Sequence, residues 1–101
     1  MKWMEIVRVR SVPEKGEDVL AVLEEQVRLC RASAPGSEIM DVFVVKHGVY
    51  SGDMAAVFMH GGISTPRKSR EGYALADAMH RFGSVEHVVW TVVSEPVNSC
   101  V

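Results

Sequence analysis

The chain has 101 residues, 48% of them apolar and 24% charged, with a formal net charge of −2. That length and balance suit one soluble domain with one small core and leave no surplus for a second. A near-neutral charge gives no electrostatic footprint for a dedicated nucleic-acid binder, and no apolar run approaches the ~20 residues of a membrane span. The opening MKWMEIVRVR carries charges where a signal peptide needs an apolar block. A cytoplasmic protein is expected, with neither nucleic acid nor membrane as partner. Cys30 and Cys100 are too few for a disulfide framework or, alone, for a zinc site.

Residues 3–12 (WMEIVRVRSV) are rich in β-branched side chains and predict a strand. Pro13 and Gly16 break it. From Val19 to Ala34 the period changes: Leu20, Leu23, Val27 and Cys30 recur at helical spacing, Val19 and Val22 widen the stripe, and Glu24, Glu25, Arg28 and Arg31 take the other side. Pro35-Gly36 should stop this helix. Residues 37–47 predict a second strand, GVYSGD a hairpin loop, and residues 54–60 a third strand ended by Gly61-Gly62. Thr65-Pro66 reads as an N-cap with proline at the first helical position. Gly72, Leu75, Ala76, Met79 and Phe82 then line one side of a second helix that ends at Gly83. Residues 85–93 predict the fourth strand. The domain spans 1–96, and 97–101 form a short tail.

The order β-α-β-β-α-β predicts a ferredoxin-like α+β fold: a four-stranded antiparallel sheet, strand order 4-1-3-2, with two helices on one face. A sheet with one wet face should be apolar at one parity only. These strands are apolar at both. Ile39, Phe43 and Val45 alternate with Met40, Val42 and Val44; Met54, Ala56 and Phe58 with Ala55, Val57 and Met59; Val89 and Val93 with Val88, Trp90 and Val92. Two helices cover one face, and leaving the other wet costs ~1.5–3 kcal/mol per large side chain. A second copy, sheet against sheet about a two-fold axis, is the expected partner.

The element order, the length and the doubly apolar strands over residues 3–95 resemble the dimeric α+β barrel superfamily, which includes antibiotic-biosynthesis monooxygenase-like, haem-degrading and stress-responsive A/B barrel proteins. The resemblance implies a homodimer and an activity among cofactor-free oxygenation, haem degradation, or isomerisation or binding of small molecules. Cofactor-free oxygenases of that group use a first-strand asparagine with a tryptophan and a histidine nearby. Here the first strand has no asparagine, the only one in the chain being Asn98, and the second helix has no tryptophan. The resemblance therefore carries no catalytic residue over.

Four histidines, His47, His60, His80 and His87, raise the question of a metal. His47 and His60 end antiparallel neighbours, at opposite ends of the sheet. His47 and His87 sit on the two edge strands, about 14 Å apart at ~4.8 Å per strand spacing, too far for joint coordination. No metal site within the chain and no cofactor are expected. Arg8 and Arg10 share a face of a central strand, where arginine needs a partner. Either they hold an anionic ligand, with His87, Thr91 and Phe58 as companions, or they pair with acids such as Glu5, Asp41, Glu86 or Glu95. Arg67, Lys68 and Arg70, in GGISTPRKSR, crowd the start of the second helix and make either an anion site or a solvated charge cluster. The G-x-x-x-x-G-K-[ST] spacing of a phosphate loop is absent.

These readings together predict a homodimeric α+β barrel that binds a small, partly apolar or anionic ligand between sheet and helices or between subunits. Its reaction, if catalytic, would resemble cofactor-free monooxygenation; the alternative is a non-catalytic regulatory or assembly module. The ligand site would take its walls from Phe43, Phe58, Met59 and Trp90 and its polar anchors from Arg8, Arg10 and His87.

Overall fold

A computed structural model of the protein describes residues 2–32, 39–62 and 65–94. Strand β1 (Lys2–Arg10) leads through a 3₁₀ turn (Pro13–Lys15) into helix α1 (Gly16–Ala32). Strands β2 (Ile39–Lys46) and β3 (Asp53–Gly61) follow, then helix α2 (Arg70–Met79), a 3₁₀ turn (His80–Phe82) and strand β4 (Ser84–Thr91). All neighbouring strands are antiparallel, in the order β2-β3-β1-β4. This is the ferredoxin-like arrangement expected from the element order.

Strand parity decides what each side chain meets. Trp3, Glu5, Val7 and Val9 of β1 face the helices, and all four are buried. Their β3 neighbours across the ladder are His60, Phe58, Ala56 and Met54. Val19, Leu23 and Val27 of α1 and Leu75, Ala76 and Met79 of α2 close over this face with Val42 of β2 to form the core. The helical stripes expected from the sequence are thus the buried ones, with Leu20, Val22, Cys30 and Phe82 at the margin.

The opposite face carries Met4, Ile6, Arg8 and Arg10 of β1, beside Met59, Val57, Ala55 and Asp53 of β3. Phe43 and Val45 of β2 and Val88 and Trp90 of β4 extend it. No helix covers it. Trp90 is 60% exposed and Val45 43%, so the second apolar parity is exposed along the edge strands β4 and β2, while Ala55 and Val57 of the central β3 are buried.

Four local expectations are corrected. The second helix starts at Arg70, with Ser69 rather than Thr65 as its N-cap: the Ser69 side chain accepts from the Gly72 amide. The first strand stops at Arg10 because the Ser11 amide and hydroxyl both turn to the Gly52 carbonyl. A register shift between Ile39 and Asp41 puts Ile39 opposite His60, against the core with Val44, and not on the side of Phe43 and Val45. A bulge does this by adding one residue to one strand and so flipping the alternation. The first helix also begins earlier than Val19, because the 3₁₀ turn runs directly into it. Its expected stop at Pro35-Gly36, and the tail, lie outside the described residues. Gly62 ends β3 with φ 117°, a conformation open to glycine and costly for other residues.

Phe58 is fully buried between both helices and the sheet. Replacing Phe58 by alanine should lower the unfolding free energy by about 3–5 kcal/mol. Leu29→Ala, at a half-exposed position, should change it by less than about 0.5 kcal/mol. Urea denaturation of both variants checks the contrast.

Candidate functional site

Glu5 is the anomaly of the helix-facing layer. Its side chain has no solvent exposure, yet its position in β1 places it among Trp3, Val7 and Val9. A buried carboxylate needs hydrogen bonds to every lone pair it can fill, and Glu5 has four donors. The Ser69 hydroxyl donates to Oε1 at 2.6 Å and the Ser69 amide to Oε2 at 2.8 Å. His60 Nε2 lies 3.1 Å from Oε1 and His87 Nε2 2.5 Å from Oε2. These donors come from β3, β4 and the residue that caps α2, so one carboxylate joins three elements that only the tertiary fold brings together.

The local chemistry is consistent at each contact. Ser69 is at once the cap of α2 and a donor to Glu5, so the Gly72 amide, the Ser69 hydroxyl and the carboxylate form a relay. The carboxylate sits where the helix dipole is positive. Gly72 approaches so closely that a β-carbon there would overlap the Glu5 carboxylate and crowd His87 Nε2. Burial works to raise the Glu5 pKa. The hydrogen bonds from the Ser69 hydroxyl, His87, the Ser69 amide and His60 outweigh it and hold the group below its ordinary 4.5. Glu5 is therefore an ionised carboxylate and can only accept. Both imidazoles must then present Nε2–H to it, which leaves each Nδ1 as the second ring position.

The aromatic surroundings complete the cluster. The Trp3 indole stacks on the His60 ring, centroids 3.8 Å apart and planes within 3°. Phe58 lies beyond it at 6.4 Å. Tyr73 of α2 meets the His87 ring edge-on at 5.2 Å. Trp3 Nε1 is, among the described residues, the one buried side-chain polar atom without a partner. A buried N–H left unmade is costly, so this donor is suited to an oxygen that the described residues do not supply.

The residues expected to form one ligand site are divided by the sheet. Arg8 and Arg10 lie on the open face, whereas Phe58 and His87 lie on the helix face. Their strand parities differ, so they cannot share a wall. Phe43, Met59 and Trp90 are on the open face with the arginines, but Trp90 pairs with Met4, about 14–20 Å along β1 from Arg8 and Arg10 at ~3.4 Å per residue. Arg8 has an acid partner that the sequence reading did not name. Asp53 takes it bidentately, at 2.9 Å from Nε and 2.5 Å from Nη2, with Arg10 Nε 3.8 Å away.

Arg67 and Lys68 precede α2 and are exposed; of the three cations only Arg70 is in the helix. The anion at that helix start is the protein's own Glu5. His60 and His87 are both nearly buried. The signal for this cluster was present in the sequence: Glu5 has the parity of Trp3, Val7 and Val9. Its histidine partners follow only from strand register. Among the described residues, no three or more histidine, cysteine or acidic side chains are arranged to hold a metal ion.

No family model and no curated protein matches the sequence. Solved structures match its shape. Rv0793 from Mycobacterium tuberculosis superposes with a TM-score of 0.68 at 13% identity, covering 96% of this chain and all of that one. An antibiotic biosynthesis monooxygenase gives 0.61 at 15% identity, over 91% and 99% of the two chains. SnoaB, a cofactor-independent oxygenase from Streptomyces nogalater, gives 0.60 at 12% identity in the structure of a variant, over 93% and 95%. The chain has the fold of the antibiotic biosynthesis monooxygenase-like proteins, as its element order suggested.

Because the Glu5 pKa is lowered in the folded state, its contribution to stability is complete above the ordinary value of 4.5 and is lost as pH falls through the folded value. Glu5→Gln should remove that contribution. The substituted protein should be less stable than the parent at neutral pH, and the gap should shrink below pH about 4.5. Urea midpoints between neutral and acid pH measure it.

Proposed function

We propose that this chain is a homodimeric enzyme of the cofactor-independent oxygenase type, acting on a small, largely apolar substrate with an acidic O–H or C–H group. The observation that carries the proposal is the ionised Glu5 binding two imidazoles by their Nε2–H, beside the unpartnered indole N–H of Trp3. A carboxylate that fixes an imidazole tautomer and stabilises the imidazolium is the arrangement by which histidine serves as a general base. In this reading His60 Nδ1 takes the substrate proton, Glu5 balances the charge on the ring, and Trp3 Nε1–H holds a substrate oxygen that becomes more negative. His87 and Ser69 keep Glu5 ionised and in place. The electron-rich substrate anion is then the reductant of molecular oxygen. The likeness of the fold to SnoaB supports this reaction class, and the apolar surroundings of Phe58 and Trp3 suit an aromatic substrate.

The second part of the proposal is the partner. The open face presents Ile6, Phe43, Val88 and Trp90, and a second copy covers such a face with an identical one. One observation favours a different role for the cluster. Both imidazoles are more than nine-tenths buried, as in a clasp that only fastens α2 to the sheet, and the chain would then be an assembly module without catalysis.

Oxygen consumption with a panel of polycyclic phenols and hydroquinones, in buffer containing a chelator, separates the two. The enzyme reading expects turnover of at least one compound. It also expects His60→Ala and Glu5→Gln to lower kcat by roughly 10²-fold or more while circular dichroism stays that of the parent. Oxygen uptake by none of the compounds, or an undiminished rate in folded variants, overturns it.

Sedimentation addresses the partner. The protein should run at twice its 11.1 kDa mass at micromolar concentration. Trp90→Glu, which puts a charge into the open face, should shift it toward the monomer. A parent protein that sediments as a monomer removes the dimer.

A further inference from the structure

We infer that the hollow at the hairpin end of the open sheet face is a binding site for a small organic carboxylate, anchored by Arg10. The hollow encloses about 460 Å³ between the end of β1 (Arg8, Arg10, Ser11) and the β2–β3 loop (Val49, Tyr50, Asp53), within the range of small-molecule sites. It lies on the other side of the sheet from Glu5 and plays no part in the proton transfer proposed above.

The charges in the hollow do not cancel. Two guanidinium groups face one carboxylate, and Arg8 takes both oxygens of Asp53. Arg10 is left with an ion pair at 3.8 Å, and among the described residues its side chain makes no hydrogen bond. On β4, Glu86 stands opposite Arg8, but the neighbour of Arg10 is Ser84, so no acid approaches Arg10 from that strand. Its planar fork of donors is therefore available, and a carboxylate matches it with two parallel bonds. Asp53 also sets the valence of the ligand. A dianion such as phosphate would place a second charge beside the Asp53 carboxylate.

The apolar part of the ligand has walls ready. Val49 and Tyr50 are 79% and 67% exposed, and Pro13 lines the same hollow. The loop that presents them is already ordered by its own bonds. His47 Nδ1 accepts from the amides of Val49 and Tyr50 at 3.0 and 3.1 Å. The Tyr50 ring packs on the His47 ring at 4.8 Å. The Asp53 amide closes the turn onto the Tyr50 carbonyl, and Ser11 fastens Gly52 to β1. A preformed loop lowers the ordering cost of binding. A ring-bearing carboxylate, its acid group on Arg10 and its ring against Tyr50, uses each of these features.

The test is a titration of the full chain with sodium benzoate at constant ionic strength, followed by amide NMR shifts, with benzyl alcohol, sodium chloride and inorganic phosphate as parallel probes. Saturable shifts confined to residues 10–13 and 49–53 are expected with benzoate at millimolar concentration or below. Arg10→Gln should weaken binding roughly tenfold, and Tyr50→Ala should weaken it by a smaller factor. Both side chains are exposed, so both variants should keep the parent fold. Absence of saturation, equal shifts with chloride or phosphate, or unchanged affinity in Arg10→Gln overturns the inference. Oxygen uptake does not enter the measurement, so the carboxylate site and the proposed enzyme reaction stand or fall separately.

Discussion

A single buried negative charge organises the half of the molecule that faces the helices. Glu5 has exchanged water for four hydrogen-bond donors drawn from β3, β4 and the start of α2. A buried carboxylate held in this way contributes little net stability compared with a well-packed apolar core, because desolvation offsets most of the attraction. Its effect is on specificity: the carboxylate accepts only one placement of Ser69, His60 and His87. The close approach of Gly72 follows from the same constraint, since the helix must come near enough for its cap to reach the charge. The late start of α2 follows as well. Capping at Ser69 satisfies Glu5 and Gly72 together, an outcome not open to Thr65.

The two faces of the sheet handle charge differently. On the helix side the charge is enclosed among hydrogen-bond donors from β3, β4 and the cap of α2. On the open side Arg8 and Asp53 form a bidentate pair at the rim, where Arg8 is partly exposed. The Asp53 pKa is depressed, chiefly by the hydrogen bonds from Arg8. This pair lets a polar end coexist with an apolar middle made of Ile6, Val57 and Val88.

The fold itself was legible in the residues. Hydrophobic periods of 2 and 3.6, the Gly61-Gly62 and hairpin signals, and the helical stripe from Gly72 to Met79 report local preferences, which act over a few residues and survive without knowledge of the rest of the chain. The strand boundaries moved by one or two residues, at the end of β1 because Ser11 turns to the Gly52 carbonyl. The bulge between Ile39 and Asp41 was not legible, because its cause is the register of β2 on β3 and one inserted residue reverses every side chain before it.

The candidate site was legible only in part. Alternation along β1 determines that Glu5 shares a face with Trp3, Val7 and Val9, and that Arg8 and Arg10 share the other. Charge at a core parity was therefore readable from residues 3–10 alone. Which groups answer those charges was decided by tertiary structure. His60, Ser69 and His87 lie 55 to 82 residues from Glu5, and Asp53 lies 45 from Arg8. Such pairings depend on strand order, on register and on where a helix begins, none of which is a property of any short segment.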